Sequence, residues 1–269
     1  MSFAATPAAT SFATLVAGTP FTAYVEGVWL GTPADTLHAN DGAQVRVPLT
    51  QLAAQREAIL DAMTLRYGGD AERHARALLS QWSKYYFRLA VPAALVAALA
   101  LQRPLDMAPE RCVLLLRDGM PEALYLPHDA LGEAQEEAAI RYASLVDEHL
   151  RGVIDMLASM TKIAPRVLWS NVGNLLDSLF ELCASMPVAG SDAAWLFESR
   201  ELFGRDEPNP LRAPVRDVTP RSPLLPAPFR ARRVCCVRYE IPGEDQLCAS
   251  CPLLLTMSDE ELARQEAIR

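Results

Sequence analysis

Apolar residues return at helical spacing from Thr50 onward, through Leu52, Ile59, Met63 and Tyr67, and Gly68-Gly69 predicts the stop. Asp70 is placed to cap a second helix through Ala75, Leu79, Trp82 and Tyr86, whose aromatic side chains read as core. The apolar run 89–101 predicts a further helix, opened by Pro92 in its first turn. A hairpin follows: residues 112–116 and 122–126 flank Asp118-Gly119, a turn-forming pair. Two long helices come next. The first, over 133–160, aligns Tyr142, Val146, Leu150, Val153 and Leu157, with His149 beside that face. The second has Pro165 in its first turn and an apolar stripe of Leu168, Val172, Leu175, Leu179 and Cys183. Asn171, Asn174 and Ser178 fall on another face. A short helix is expected around 193–203, and Ser258 with Glu261 forms a capping box for a terminal one.

Little of the remainder is patterned. Residues 1–48 hold only brief apolar runs, with a short strand expected at Val45-Arg46-Val47 and no functional signal. Seven of the twenty prolines lie between Pro208 and Pro228, which predicts an extended connector. The fold class that follows is mainly α with a minor β-hairpin (α+β), a helical body carrying a small C-terminal cysteine-rich module. Its expected divisions are 1–48, 49–206, 207–230 and 231–269.

Composition narrows the function classes. With 51% hydrophobic and 22% charged residues and a mean hydropathy of +0.07, the chain is globular. A net charge of −8 and a pI near 5.1 argue against a general nucleic-acid binder. The first basic residue is Arg46, so no secretory leader is recognised, and the run 89–101 is too short to span a bilayer. A reducing cytoplasm is the compartment expected, and it suits thiolate ligands.

Four of the six cysteines fall within seventeen residues, as Cys235-Cys236, eleven intervening residues, Cys248, two more and Cys251. Cys248 and Cys251 form a chelating knuckle compatible with zinc or iron-sulfur. Adjacent residues of an extended chain point to opposite faces, so one tetrahedral ion would demand a distorted backbone at Cys235-Cys236. The two irons of a [2Fe-2S] rhomb relax that demand. Iron-sulfur is therefore favoured over zinc, and both over an incidental cysteine cluster. Cys112 and Cys183 sit within apolar patterns and read as small buried hydrophobes.

Arg232-Arg233-Val234-Cys235-Cys236-Val237-Arg238-Tyr239, with Cys248-Ala249-Ser250-Cys251-Pro252-Leu253, resembles the C-terminal signature of the FhuF-type ferric-siderophore reductases. The segment 167–174 and Asn209-Pro210-Leu211 are similar to that family too, so the resemblance covers residues 75–260. The family separates its cysteine pairs by ten residues, and the loop here is one longer. The resemblance implies a [2Fe-2S] cluster on Cys235, Cys236, Cys248 and Cys251 in an oxidoreductase that frees iron from ferric siderophores in the cytoplasm. Hard oxygen donors such as hydroxamates hold Fe(III) far better than Fe(II), so one electron loosens the chelate, and no catalytic nucleophile is needed. It also makes Trp169, Asn171, Asn174 and His149 candidates for contact with the chelate. Between Arg212 and Arg238 there are seven arginines against one acid, Asp217. Of these, Arg233 and Arg238 flank the vicinal cysteines and are expected to stabilise the reduced cluster. The partners implied are a ferric siderophore and an electron donor, with peripheral contact to a membrane siderophore importer and no nucleic acid. Two other readings stand beside this one: a non-enzymatic zinc-stabilised binding module, and a [2Fe-2S] electron-transfer protein with a protein acceptor.

Overall fold

In the computed structural model, which describes residues 9–19, 21–31 and 44–268, the hairpin is the centre of a larger sheet. Asp118 and Gly119 take φ of 48° and 76°, the left-handed pair that a two-residue turn between twisted strands requires. Of the expected 1–48 region, residues 1–8, 20 and 32–43 lie outside the described residues. The sheet has five strands: β1 (Thr10–Ser11), β2 (Val28–Leu30), β3 (Gln44–Pro48), β4 (Val113–Arg117) and β5 (Met120–Leu126), in the order β1-β2-β5-β4-β3. All neighbours are antiparallel except β2 with β5. The sequence reading anticipated β3 and the hairpin but neither β1 nor β2, because two or three residues are too few to display a period-2 alternation.

The helices are α1 (Arg56–Tyr67), α2 (Ala75–Ala100), α3 (Ala138–Ala143), α4 (Arg151–Met160), α5 (Pro165–Leu182), α6 (Ala189–Glu198) and α7 (Asp259–Ile268). Asp70 receives the backbone N–H groups of Glu72 and Arg73 ahead of α2, as its position suggested. Pro92 does not open a new helix; α2 runs straight through it. An internal proline costs about 3 kcal/mol in a helix. Burial of every residue from Ala90 to Leu99 offsets that loss. The helix expected over 133–160 begins at Ala138, and Ser144–Leu150 joins α3 to α4 as a π-helical segment. Helix α6 starts and ends earlier than its expected 193–203. Asn209 then donates to the carbonyls of Leu196 and Ser199 at 2.7 and 3.0 Å, closing the C-terminal end of α6. Within the proline-rich stretch lies β6 (Val215–Val218), which pairs antiparallel with β7 (Phe229–Arg232) just beyond it.

The chain forms two compact units. One, 1–55 with 85–153, contains the five-stranded sheet. There Leu114, Leu116, Leu124 and Leu126 are buried together with Val47, while Leu115, Ala123 and Tyr125 pack against Trp29 and Val113. The other, 56–84 with 154–269, contains α5, α6, β6, β7 and the four clustered cysteines. Among the described residues no helix is long and apolar enough to cross a membrane.

Candidate metal centre

Strand β7 delivers the vicinal cysteines. Its Phe229 and Ala231 face a small apolar core with Leu225, Leu247, Cys251, Leu254 and Leu262. Arg230 and Arg232 point the other way, to α5: Arg230 to Asp177 at 2.8 Å, and Arg232 to Asn171 Oδ1 at 2.6 Å and Ser170 Oγ at 3.3 Å. Past the strand, Ser170 Oγ donates to the Val234 carbonyl at 2.9 Å and accepts from the Val234 N–H at 3.2 Å. The Cys236 carbonyl accepts from Ser80 Oγ at 2.7 Å and Gln81 Nε2 at 3.1 Å, both on α2. Val237 then adopts φ 53° and ψ 21°. A β-branched residue in the left-handed region is strained, and it bends the chain immediately after the second cysteine.

That bend distributes the sulfurs in pairs. Cys235 Sγ lies 3.8 Å from Cys251 Sγ, and Cys236 Sγ lies 3.5 Å from Cys248 Sγ. Two thiolates on one tetrahedral metal with bonds of about 2.3 Å stand about 3.8 Å apart. Each pair therefore has the spacing of two ligands on a single metal. Cys235 and Cys236 are also hydrogen-bonded to each other, so the two pairs adjoin. All are free thiols; Cys236 and Cys251 are buried, and Cys235 and Cys248 half-buried.

The sulfurs share protons. Cys236 is held well below the usual thiol range by hydrogen bonds from Cys235 and Cys248, helped by the charges of Lys84 and Arg232. Cys251 is lowered to about 7, chiefly by a hydrogen bond from Cys235. Cys235 and Cys248 are pushed up as the donors of those bonds. Two of the four are thus ready to bind metal as thiolates near neutral pH.

Two cations bear on this centre, and neither is the pair expected from sequence. Lys84 Nζ lies 3.9 Å from Cys248 Sγ while donating to Gln81 Oε1 at 2.7 Å. Arg232 is 3% exposed, and its partners Val234 O, Ser170 and Asn171 are all neutral. A buried guanidinium without a carboxylate is costly unless another anion compensates it, and the nearby thiolates are such anions. The donor set and this carboxylate-free guanidinium together fit an anionic metal-thiolate group. Arg238 is instead ion-paired with Glu244 and stacked over the Tyr67 ring at 5.6 Å. Arg233 is exposed and donates to the Arg212 carbonyl at 2.8 Å.

The candidate chelate contacts separate. Trp169 lines a cavity of about 480 Å3 with Arg166, Pro210, Arg212, Arg233 and Val234. Asn171 is 5% exposed, its amide hydrogens divided among Ser80 and Ser83 and its oxygen taken by Arg232. Asn174 Oδ1 accepts from Ser250 Oγ at 3.0 Å, inside the cysteine knuckle. His149 belongs to the sheet-containing unit and is fully buried. Its Nδ1 is 2.6 Å from the Met107 carbonyl, which can only accept, so Nδ1 donates there and Nε2 accepts the hydrogen bond of the Tyr86 hydroxyl at 2.8 Å. Burial holds it neutral, with a pKa of about 4. Cys112 and Cys183 are buried thiols outside the sulfur pairs, both raised by desolvation.

Comparison with known proteins follows the same residues. Residues 80–222 match the family described as ferric iron reductase FhuF-like transporter, and residues 232–253 match the FhuF 2Fe-2S C-terminal domain. The ferric siderophore reductase of Escherichia coli (strain K12) is 28% identical over 195 residues, 67% of either chain. Aerobactin synthetase IucC from a hypervirulent pathotype of Klebsiella pneumoniae is 15% identical, with a TM-score of 0.45 over 63% of this chain and 34% of its own length. The chain belongs to the FhuF-like ferric iron reductase family, an oxidoreductase with a [2Fe-2S] cluster as its cofactor.

Proposed function

We propose that the protein is a cytoplasmic ferric-siderophore reductase in which Cys235 with Cys251, and Cys236 with Cys248, hold the two irons of the cluster. The observation that carries this reading is the pair of sulfur separations, 3.8 and 3.5 Å, each suited to one tetrahedral metal. When bound, the cluster supplies the single electron that converts chelated Fe(III) to Fe(II), and a separate one-electron donor restores it. The chain's own residues supply position and field. Ser80, Gln81 and Ser170 hold the backbone on either side of the vicinal pair through its carbonyls. Arg232 and Lys84 place positive charge against the sulfurs and favour the more negative, reduced state. The ferric chelate enters the cavity beside Trp169, because Val234 lines it and is one Cα step, about 3.8 Å, from Cys235. Asn171 and Asn174 serve the scaffold of that site, and His149 the core of its own unit.

The test is anaerobic. Purified protein is analysed for iron and acid-labile sulfide, reduced with dithionite, desalted and examined by electron paramagnetic resonance, then mixed with ferric siderophore. The expected result is two irons and two sulfides per chain, a signal from the reduced state, and one Fe(II) released per chain as that signal is lost. Zinc in place of iron and sulfide would make the cysteines a structural clasp. A reduced cluster that no ferric chelate reoxidises would make the chain an electron carrier for another protein.

A further inference from the structure

We infer that the cavity beside the cysteines selects ferric chelates of net negative charge, built on carboxylate or catecholate donors, over neutral trishydroxamates. This rests on the reductase reading and names its substrate class. Three arginines, Arg166, Arg212 and Arg233, line the cavity, and no aspartate or glutamate does. None of the three is ion-paired with a carboxylate among the described residues. Three others of the same unit are: Arg76 with Glu240, Arg230 with Asp177 and Glu181, and Arg238 with Glu244. In a chain of net charge −8 such pairing is the easy outcome, so three unpaired guanidinium groups around one hollow mark a place reserved for an external anion.

The remaining walls suit the same ligand. Trp169 and Pro210 give the same cavity apolar wall, as a binding site needs beside its polar contacts. Arg166 and Trp169 stand near the start of α5, three residues apart and so on one face of the helix. Arg233 is oriented by its hydrogen bond to the Arg212 backbone carbonyl at 2.8 Å. Guanidinium is planar and always charged, and its paired N–H groups match the two oxygens of a carboxylate. A neutral chelate uses none of that charge. The volume, about 480 Å3, lies in the ordinary range for small-molecule sites.

The experiment compares wild type with the triple variant Arg166→Gln/Arg212→Gln/Arg233→Gln. Chemically reduced protein is mixed anaerobically with ferric citrate in excess citrate, or with a neutral ferric trishydroxamate, over a range of concentration and salt. In parallel, binding of redox-inert gallium citrate to the oxidised protein is followed by calorimetry. Wild type is expected to saturate at lower concentrations of the anionic chelate and to lose that advantage as salt rises. In the triple variant the preference falls about tenfold, the scale set by a few exposed ion pairs, with the cluster's visible spectrum unchanged. Salt-insensitive preference, or the same preference in the triple variant, would overturn the inference while leaving the reductase reading in place. Arginine-dependent gallium citrate binding without oxidation by either iron chelate would support the anion site and sink the reductase reading instead.

Discussion

Lys84 carries the most direct electrostatic influence on the cysteines, 3.9 Å from the Cys248 sulfur. Two unit charges at that separation interact by about 4 kcal/mol at an effective dielectric near 20. The side chain is half-exposed, so water and salt remove much of this, and a shift on the order of tens of millivolts remains. The sign follows from charge: removing a cation destabilises the more negative, reduced state. Lys84→Gln is therefore expected to lower the reduction potential measured by anaerobic titration. Arg238→Gln should move it less, because Glu244 already neutralises that guanidinium. A larger shift in the Arg238 variant would reverse this assignment. The sequence did not lead to Lys84, since it stands 164 residues before Cys248 and no local spacing connects them. Arg232 was passed over for its neighbours because burial, unlike proximity, is not written in a run of arginines.

At the scale of elements, the loop between the two cysteine pairs, residues 237–247, is held from outside. Helix α7 begins with the expected capping box, Ser258 and Glu261 exchanging backbone and side-chain hydrogen bonds. One turn later its Gln265 accepts from the Leu247 N–H at 2.9 Å and donates to the Asp245 carbonyl at 2.7 Å. The side chain thereby anchors the residue preceding Cys248. Gln265→Ala leaves a buried N–H and a carbonyl unpaired, at a cost of about 1–3 kcal/mol. Faster amide exchange at Leu247 and a shorter cluster lifetime in air are the expected results. Unaltered exchange at Leu247 would show that the knuckle holds its own loop. The capping box was legible because its two residues are neighbours on one turn. The anchor was not, because a glutamine gives no sign of which distant backbone it will meet. Pro92 misled for a related reason: local preference favours a helix start there, and the burial on all sides that keeps α2 continuous is a tertiary effect.

Across the whole molecule, what could be read were contiguous features: the hairpin, the long helical stripes and the cysteine motif. The division into two units could not, because residues 56–84 group with 154–269 while 85–153 group with the N-terminal strands. That grouping has a consequence for metal removal. The apolar core behind the cysteines is small, comprising Leu225, Phe229, Ala231, Leu247, Leu254 and Leu262, with Cys251 buried among them. Cores of that size seldom hold alone, and a bound metal adds its binding free energy to the folded state. Stripping the cluster with a chelator under anaerobic conditions is therefore expected to raise amide exchange at least tenfold over 229–232 and 247–262. The 113–126 hairpin, with its own core in the sheet-containing unit, serves as the internal reference and should keep its protection. Equal loss of protection in both places would mean that the cluster stabilises the chain globally. Unchanged protection in both would mean that the hydrogen bonds of Ser80, Ser170 and Asn171 suffice to hold the cysteine segment, and that the metal binds a site already made.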